Sequence, residues 1–170
     1  MKSHLLRMAE YNAWCNQRVY DAVLPLSDAE YRADRGAFFK SIHGTLNHLL
    51  ATDRIWMKRF TGEGEAPTRL DAVLYESLPD LRLARQAEDA RIIAYVSGLT
   101  DETMARRFRY TMISDPTEVE EPLLPALLHV FNHQTHHRGQ VHCLLTGLGY
   151  EAPSLDLIRF ERQRAVPASS

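Results

Sequence analysis

Four long segments of the chain repeat apolar residues at the intervals of an amphipathic helix. Residues that suit helix boundaries flank them: Pro25 stops the first, Ser41 caps the second, Pro79 opens the third and Gly147 ends the fourth. The predicted helices cover residues 3–24, 42–60, 79–98 and 121–146. Helices of about 20 residues are about 30 Å long, which is typical of a bundle. The pattern therefore predicts an all-α fold, a four-helix bundle built by residues 1–170 as a single domain.

The connections between these helices are long and carry weaker signals. Residues 61–79 hold most of the glycine and proline loop signals, although "LDAVLYESL" within them predicts a short turn of helix. "RRFRYTMIS" alternates larger apolar residues with polar ones and the turn signal "SDPTE" follows, which predicts a short β ribbon before the last main helix. "SLDLIRF" predicts a small closing helix, and "VPASS" a frayed tail. The pattern leaves the order of the helices in the bundle open.

Composition and charge narrow the range of partners and compartments. With 45% hydrophobic residues, 25% charged residues and a net charge of −2, the chain has a globular composition and no general attraction for phosphate backbones. We therefore expect no nucleic-acid partner. The N-terminal "MKSHLLRMAEYNAW" meets polar residues too early for a secretory signal, and no run approaches the ~18 apolar residues of a membrane span. Cys15 and Cys143 form no CxxC pair and are predicted to be small buried residues, which fits the reducing cytoplasm.

Histidine is concentrated in the last predicted helix, where "LHVFNHQTHHRGQVH" at 128–142 holds five of the eight histidines. Side chains four residues apart on a helix share one face, close enough for two imidazoles to reach one metal ion. The pair His133 and His137 has that spacing, and so has the pair His129 and His133, while His136 lies three residues after His133. Spacing alone therefore does not select the metal-binding pair.

The apolar stripe of the same helix favours one pair. A face that points into the core would contain His133 and His137 together with the apolar residues Ala126, Val130, Val141 and Leu144. On that basis His129 lies at the border of the face, and His136 and His142 are expected outside it. A catalytic metal site usually takes three protein ligands, so a third must come from another helix. His48, in the middle of the second predicted helix, is the candidate.

Two familiar metal motifs are absent. In HExxH proteases a glutamate base follows the first histidine, but that position is Gln134, which cannot accept a proton. A di-iron bundle would need paired Glu-x-x-His segments, and none occurs. Of the remaining conspicuous residues, Trp14 and Trp56 are expected to pack in the core. Arg138 is expected to pair locally, with anion binding as the alternative, and Asn16 and Arg138 are candidates for orienting a substrate.

Three segments and a short closing motif carry a family resemblance. They are "YNAWCNQRVYD" at 11–21, "SIHGTLNHLLATDRIWMKRF" at 41–60, "HVFNHQTHHRGQVHCLLTGLG" at 129–149 and "DLIRF" near the end. In order and over almost the whole chain, these segments resemble the DinB (damage-inducible) family of metalloenzymes. The resemblance implies a four-helix bundle, a homodimer, and a divalent metal such as zinc or nickel held by His48, His133 and His137.

The resemblance also implies a chemistry, because related bundles are thiol-dependent S-transferases or isomerases. An open metal position can bind a low-molecular-weight thiol, favour its thiolate and present it to a small electrophile. Activity should then require the three histidines but neither Cys15 nor Cys143. Two alternatives stay open: a metal-binding or stress-associated interaction protein without turnover, and a purely structural bundle whose core histidines are hydrogen-bonded.

Overall fold

The four predicted helices form the body of the computed structural model, which describes residues 1–165. The predicted tail at 166–170 lies outside the described residues. In chain order the elements of residues 1–165 are α1 (Lys2–Val23), α2 (Asp28–Arg32), α3 (Ile42–Thr61), α4 (Leu78–Gly98), α5 (Asp101–Ala105), β1 (Arg107–Thr111), β2 (Glu118–Pro122), α6 (Leu123–Gly147) and α7 (Leu157–Ala165). The all-α bundle is confirmed, with a two-stranded ribbon before its last main helix.

Local signals explain where the long helices begin and end. The Ser41 hydroxyl caps α3 by accepting a 3.0 Å hydrogen bond from the Gly44 amide, and Gly62 ends that helix in the left-handed region at a φ of 77°. Ser77 caps α4 in the same way, with Pro79 in the first turn. Helices α1, α3 and α4 therefore match the predicted ranges closely.

Three local features differ from the sequence prediction. The short helices α2 and α5 were not predicted, although capping boxes begin both, at Ser27 and Thr100. The last main helix begins at Leu123 rather than at Glu121, because Glu121 and Pro122 belong to β2 and pair with Phe108 and Arg107 of β1.

The helical turn predicted for "LDAVLYESL" is wrong, because residues 72–75 have no regular secondary structure and a side chain of α3 binds their backbone. The Asn47 amide oxygen accepts hydrogen bonds from the backbone amides of Leu74 at 2.8 Å and Tyr75 at 3.0 Å. The Asn47 amide nitrogen donates to the Tyr75 carbonyl at 3.1 Å. These backbone groups are therefore satisfied without a helix.

The order of helices around the bundle is α1, α4, α3, α6, since α1 and α3 each pack against both α4 and α6. One apolar cluster joins the N-terminal halves of α1 and α6 to the C-terminal halves of α3 and α4, and a second cluster joins the opposite halves. Helices α1 and α6 therefore run in one direction and α3 and α4 in the other. Residues 62–77 must return along the bundle from the end of α3 to the start of α4.

A polar layer separates the two apolar clusters at mid-height in the bundle. Its central ion pair joins Arg85 to Asp53 at 2.7 Å, and Arg85 also lies 3.0 Å from Asp89. The buried polar members of the layer are Asn12, Asn16, Asp53, Arg85, Asp89, Gln134 and Arg138. None of the helices within residues 1–165 has the length and apolar character needed to cross a membrane.

Candidate metal centre

The seam between α3 and α6 brings together three histidines at the level of the polar layer. α3 contributes His48, and α6 contributes His133 and His137, which are one turn apart on the same face. His48 and His137 are buried, at 3% and 7% exposure, and His133 is partly buried. The packing of α3 against α6 therefore brings His48 to the pair His133 and His137, a contact that the histidine spacing within α6 could not predict.

The ring nitrogens of the three histidines converge. The Nε2 atoms of His48 and His133 are 3.2 Å apart, and one nitrogen from each of the three rings lies within 4.8 Å of the others. The ring centroids are 5.1 Å apart for His48 and His133, 4.6 Å for His48 and His137, and 4.4 Å for His133 and His137. Within residues 1–165 no other three histidine, cysteine or acidic side chains converge in this way.

In His48 and His137, a hydrogen bond determines which ring nitrogen is available to a metal ion. Nδ1 of His48 lies 2.7 Å from the Leu70 carbonyl, and Nδ1 of His137 lies 2.8 Å from Oε1 of Gln140. Both partners are acceptors, so Nδ1 donates in each case and Nε2 is unprotonated; in His48, Nε2 accepts a hydrogen bond from Nε2 of His133. Outer hydrogen bonds of this kind orient histidine ligands in metal sites. The Leu70 carbonyl is in place because residues 62–77 return along α3.

Burial lowers the pKa of all three histidines. The pKa of His48 is lowered to about 4, although the hydrogen bond to Leu70 opposes the effect. The pKa of His133 is lowered to about 3 by burial and then by the neighbouring histidines, and that of His137 is lowered chiefly by burial. The three rings are therefore neutral at pH 7 in the metal-free protein, which is the form that binds metal.

A loop before α3 covers one side of the triad. The Phe39 ring stacks on His48 with centroids 3.7 Å apart and meets the edge of His137 at 5.5 Å. Gly44 permits this close approach, because a Cβ at that position would lie 2.2 Å from the Phe39 carbonyl oxygen. Phe39 therefore shields the histidines from water on this side. No sequence signal identified this contact.

A cavity of about 230 Å³ adjoins the triad, and Phe39 is not among the residues that line it. Its wall consists of one face of α3, part of α6, the return segment and the β ribbon. The lining residues are His48, Thr52, Trp56, Arg59, Leu70, Tyr110, Met112, Ile113, Ser114, His129 and His133. A small molecule in this cavity would contact two of the three histidines directly.

Comparison with known proteins agrees with this architecture. The family model described as "DinB family" matches residues 1–167. The chain belongs to the DinB family. Among DinB proteins, the chain is similar to Protein DinB of Bacillus subtilis (strain 168), with 26% identity over 168 residues and 92% of each protein covered.

A solved DinB-like structure has the same fold. The crystal structure of a DinB-like protein from Bacillus cereus ATCC 10987 matches with a TM-score of 0.70 at 18% identity, covering 88% of this chain and 94% of that one. At this identity the likeness concerns the fold alone. The three histidines to which the DinB resemblance points are the three that the structure of this DinB chain brings together.

The other histidines of α6 lie around the triad without joining it. His129 is exposed, with its ring 5.7 Å from that of His133 and 5.3 Å from Trp56. His136 is exposed beside His137, with ring centroids 4.8 Å apart. His142 is partly buried and lies outside the convergent group.

Gln134 and Arg138 point into the bundle instead of toward the cavity. Gln134 is fully buried, and its amide nitrogen donates to the Leu49 carbonyl at 3.2 Å, which ties α6 to α3 beside His133. Arg138 is buried and donates to the amide oxygens of Asn12, Asn16 and Gln134. Arg138 was predicted to pair locally, and it bonds both within α6, to Gln134, and across the bundle, to Asn12 and Asn16 of α1. Neither Arg138 nor Asn16 lines the cavity beside the triad.

The remaining predictions concern cysteine and tryptophan. Cys15 is buried as predicted, but the prediction for Cys143 is wrong, because that residue lies on the exposed side of α6. Trp14 packs against Tyr11 and Phe160, whereas Trp56 both packs against the core and lines the cavity. Neither cysteine belongs to the triad.

The donor set fits a divalent transition metal. Three neutral imidazoles suit zinc, nickel, copper and iron, and they do not suit magnesium or calcium, which prefer oxygen ligands. Two of the rings already have the tautomer with an unprotonated Nε2, and the adjoining cavity gives room for an exogenous ligand. The three-histidine cluster is therefore compatible with metal binding.

Proposed function

We propose that the chain is a divalent-metal-dependent enzyme that transfers a small thiol to small electrophiles, with His48, His133 and His137 as metal ligands. The observation that carries the proposal is the convergence of three neutral imidazoles beside a cavity. Three protein ligands leave a position open for an exogenous one. A divalent metal in this site would supply Lewis acidity, which lowers the pKa of a thiol and favours its thiolate.

The residues around the cavity support an external thiol as the nucleophile. Of the described residues, none of those that line it is a cysteine or a carboxylic acid. Trp56, Tyr110 and Met112 provide an apolar wall that would hold an electrophile and displace water. In the proposed transfer, the thiol sulfur forms a bond to the electrophilic carbon, the leaving group departs with its electron pair, and the thiol proton passes to solvent.

Metal content is the first test. Protein purified without a histidine tag should hold about one divalent metal per chain by elemental analysis. His48→Ala, His133→Ala and His137→Ala should each lose it, because two imidazoles seldom hold such an ion. His142→Ala is the matched control on α6 and should retain the metal. A wild-type protein that neither contains metal nor takes it up on titration would refute the proposal.

Turnover is the second test. Metal-loaded protein should accelerate the displacement of halide from a chromogenic aryl halide by common low-molecular-weight thiols, and removal of the metal should abolish the effect. The double variant Cys15→Ser, Cys143→Ser should remain active, since neither cysteine lines the cavity. Metal binding without acceleration for any thiol would instead favour a non-catalytic metal-binding or stress-associated protein.

The proposal includes three further properties. We propose zinc or nickel as the physiological metal, as the family resemblance implies, and both accept three imidazoles. The family resemblance supports a homodimer, which light scattering of the purified protein tests. We propose a cytoplasmic location, in keeping with unpaired cysteines, and fractionation of cells that express the chain tests it.

A further inference from the structure

The face of α3 that carries His48 continues past the triad to an arginine. Thr52, Trp56 and Arg59 follow His48 on this face, within about 80° of one another around the helix, and all four line the 230 Å³ cavity. His48 and Arg59 are eleven residues apart, so their Cα atoms are separated by about 16 Å along the axis. The cavity therefore has the triad at one end and a guanidinium at the other.

Arg59 lies over two aromatic rings that contact each other edge-to-face, and it has no acidic partner among the described residues. Its Cζ lies 4.6 Å from the Trp56 ring centroid and 4.1 Å from that of Tyr110. One terminal nitrogen donates to the Thr111 carbonyl at 3.3 Å, and within residues 1–165 the guanidinium makes no other hydrogen bond and no ion pair with a carboxylate. Burial lowers the pKa of Arg59, so its positive charge lies in an unfavourable environment that is not compensated by an acid.

Arg54, on the same helix, shows the usual arrangement. It also lies over an aromatic ring, with its Cζ 5.4 Å from the Tyr75 centroid, but it donates to the Tyr75 hydroxyl at 3.1 Å and lies 3.9 Å from the Glu88 carboxylate. The difference between the two arginines is the missing acid at Arg59. An arginine that is held against two aromatic rings and lines a cavity is suited to bind a carboxylate, because a guanidinium can offer two N–H groups to the two carboxylate oxygens.

We infer that Arg59 binds the carboxylate of a small ligand whose other end reaches the histidine triad. The inference rests on the proposed function, because it assigns the substrate class of that site. The arginine side chain leans toward the N-terminus of α3 and so toward the triad, which suits a short linear molecule. The carboxylate belongs either to the thiol or to the electrophile, and the chemistry at Arg59 is the same in both cases.

The fluorescence of Trp56 would report the binding of a ligand beside Arg59. Trp14 and Trp56 are the two tryptophans of the chain, so a Trp14→Phe background makes Trp56 the sole reporter. Linear thiols of about three to eight carbons that end in a carboxylate, a range suggested by the helix rise, would be titrated beside their terminal amides. Carboxylates of the same lengths without a thiol form the second arm. Each titration is made with metal-free and with metal-loaded protein.

The carboxylates should bind about tenfold to a hundredfold more tightly than the matching amides, as expected for a hydrogen bond to a charged group. Arg59→Met should abolish this preference, Arg59→Lys should keep part of it, and Arg54→Met should keep all of it. Tighter binding of the carboxylate thiols than of the plain carboxylates in the loaded protein would assign the carboxylate to the thiol. Equal binding would assign it to the electrophile.

The inference is overturned if the Trp14→Phe protein does not distinguish carboxylates from amides, or if Arg59→Met retains the preference. Metal analysis of the same samples separates this failure from that of the proposed function. Protein that holds metal but shows no carboxylate preference contradicts the role of Arg59 alone. Protein that cannot hold metal contradicts the proposed function, and with it the assignment of the carboxylate to a substrate.

Discussion

Replacing Gln140 with leucine should weaken metal binding although Gln140 is not a proposed ligand. Its Oε1 lies 2.8 Å from Nδ1 of His137 and accepts the ring N–H, so that Nε2 is free to face the other two histidines. Leucine has a similar volume but cannot accept this hydrogen bond. In the variant, the tautomer and the orientation of the His137 ring are no longer fixed.

The structure sets the size of this effect. Loss of an outer hydrogen bond to a ligating histidine costs about ten- to a hundredfold in metal affinity, or about 1.4 to 2.7 kcal/mol. Gln140 is only partly buried, so water can replace some of its contact. His48 keeps its own acceptor, the Leu70 carbonyl. We therefore expect a loss near the lower limit, about tenfold for Gln140→Leu.

Competition with a chromophoric zinc chelator measures this affinity. Gln140→Glu should bind zinc at least as tightly as the wild type, because a carboxylate is a stronger acceptor for the His137 N–H. His136→Ala is the control, since it removes the other side chain that contacts Gln140, at 3.4 Å, without altering the bond to His137. Unchanged affinity in Gln140→Leu, or an equal loss in His136→Ala, would show that the hydrogen bond from His137 to Gln140 does not strengthen metal binding.

Three other perturbations test the fold around the site. In the metal-free protein, the free energy of unfolding measured in urea should fall as the pH is lowered from about 6.5 to about 4. In this range the unfolded chain protonates His48 at the ordinary histidine pKa, whereas folding lowers the pKa of His48 to about 4. The contribution of His48 is at most about 3 kcal/mol. Arg85→Met should lower the free energy of unfolding by about 3 to 5 kcal/mol, since it leaves the buried Asp53 carboxylate without its cation. Gly44→Ala should cost about 1 to 3 kcal/mol and weaken metal retention, because its Cβ would displace the Phe39 loop from His48.

Each perturbation has a matched control. His48→Gln should make the pH dependence shallower without removing it, because folding also lowers the pKa of His133 and His137; an unchanged slope would show that His48 does not contribute. Arg54→Met should cost no more than about 1 kcal/mol, because its ion pair to Glu88 is longer and less buried than that of Arg85. Gly139→Ala should be tolerated, since no atom lies within 4 Å of the Cβ it would add. Equal losses in Gly44→Ala and Gly139→Ala would contradict the steric explanation.

The long helices could be predicted from the sequence because periodicity and capping residues act locally. Ser41 caps α3 and Gly62 ends it wherever the helix packs. The segment around Leu74 and Tyr75 could not be predicted in the same way. Its conformation depends on hydrogen bonds to Asn47, which lies some 27 residues earlier in the chain. The parallel course of α3 and α4 also depends on tertiary packing.

The candidate site could likewise be predicted only in part, where local spacing within a helix determines it. Spacing on α6 narrowed the choice to a few pairs, and the inward stripe favoured His133 and His137. The contact with His48 arises only when α3 packs against α6. The position of Gln140, three residues after His137, is a helical spacing that could have indicated its role. Phe39 and the Leu70 carbonyl had no comparable signal, since both belong to segments placed by the fold.

A crystal structure of the metal-loaded, untagged protein, with anomalous data at the absorption edge of the metal, would show whether the three histidines bind one metal ion. We expect one anomalous peak bound by one nitrogen each of His48, His133 and His137, at about 2.0–2.1 Å if the metal is zinc. A peak bound by other residues would contradict this expectation. So would a hydrogen-bonded triad without a peak in crystals grown at saturating metal.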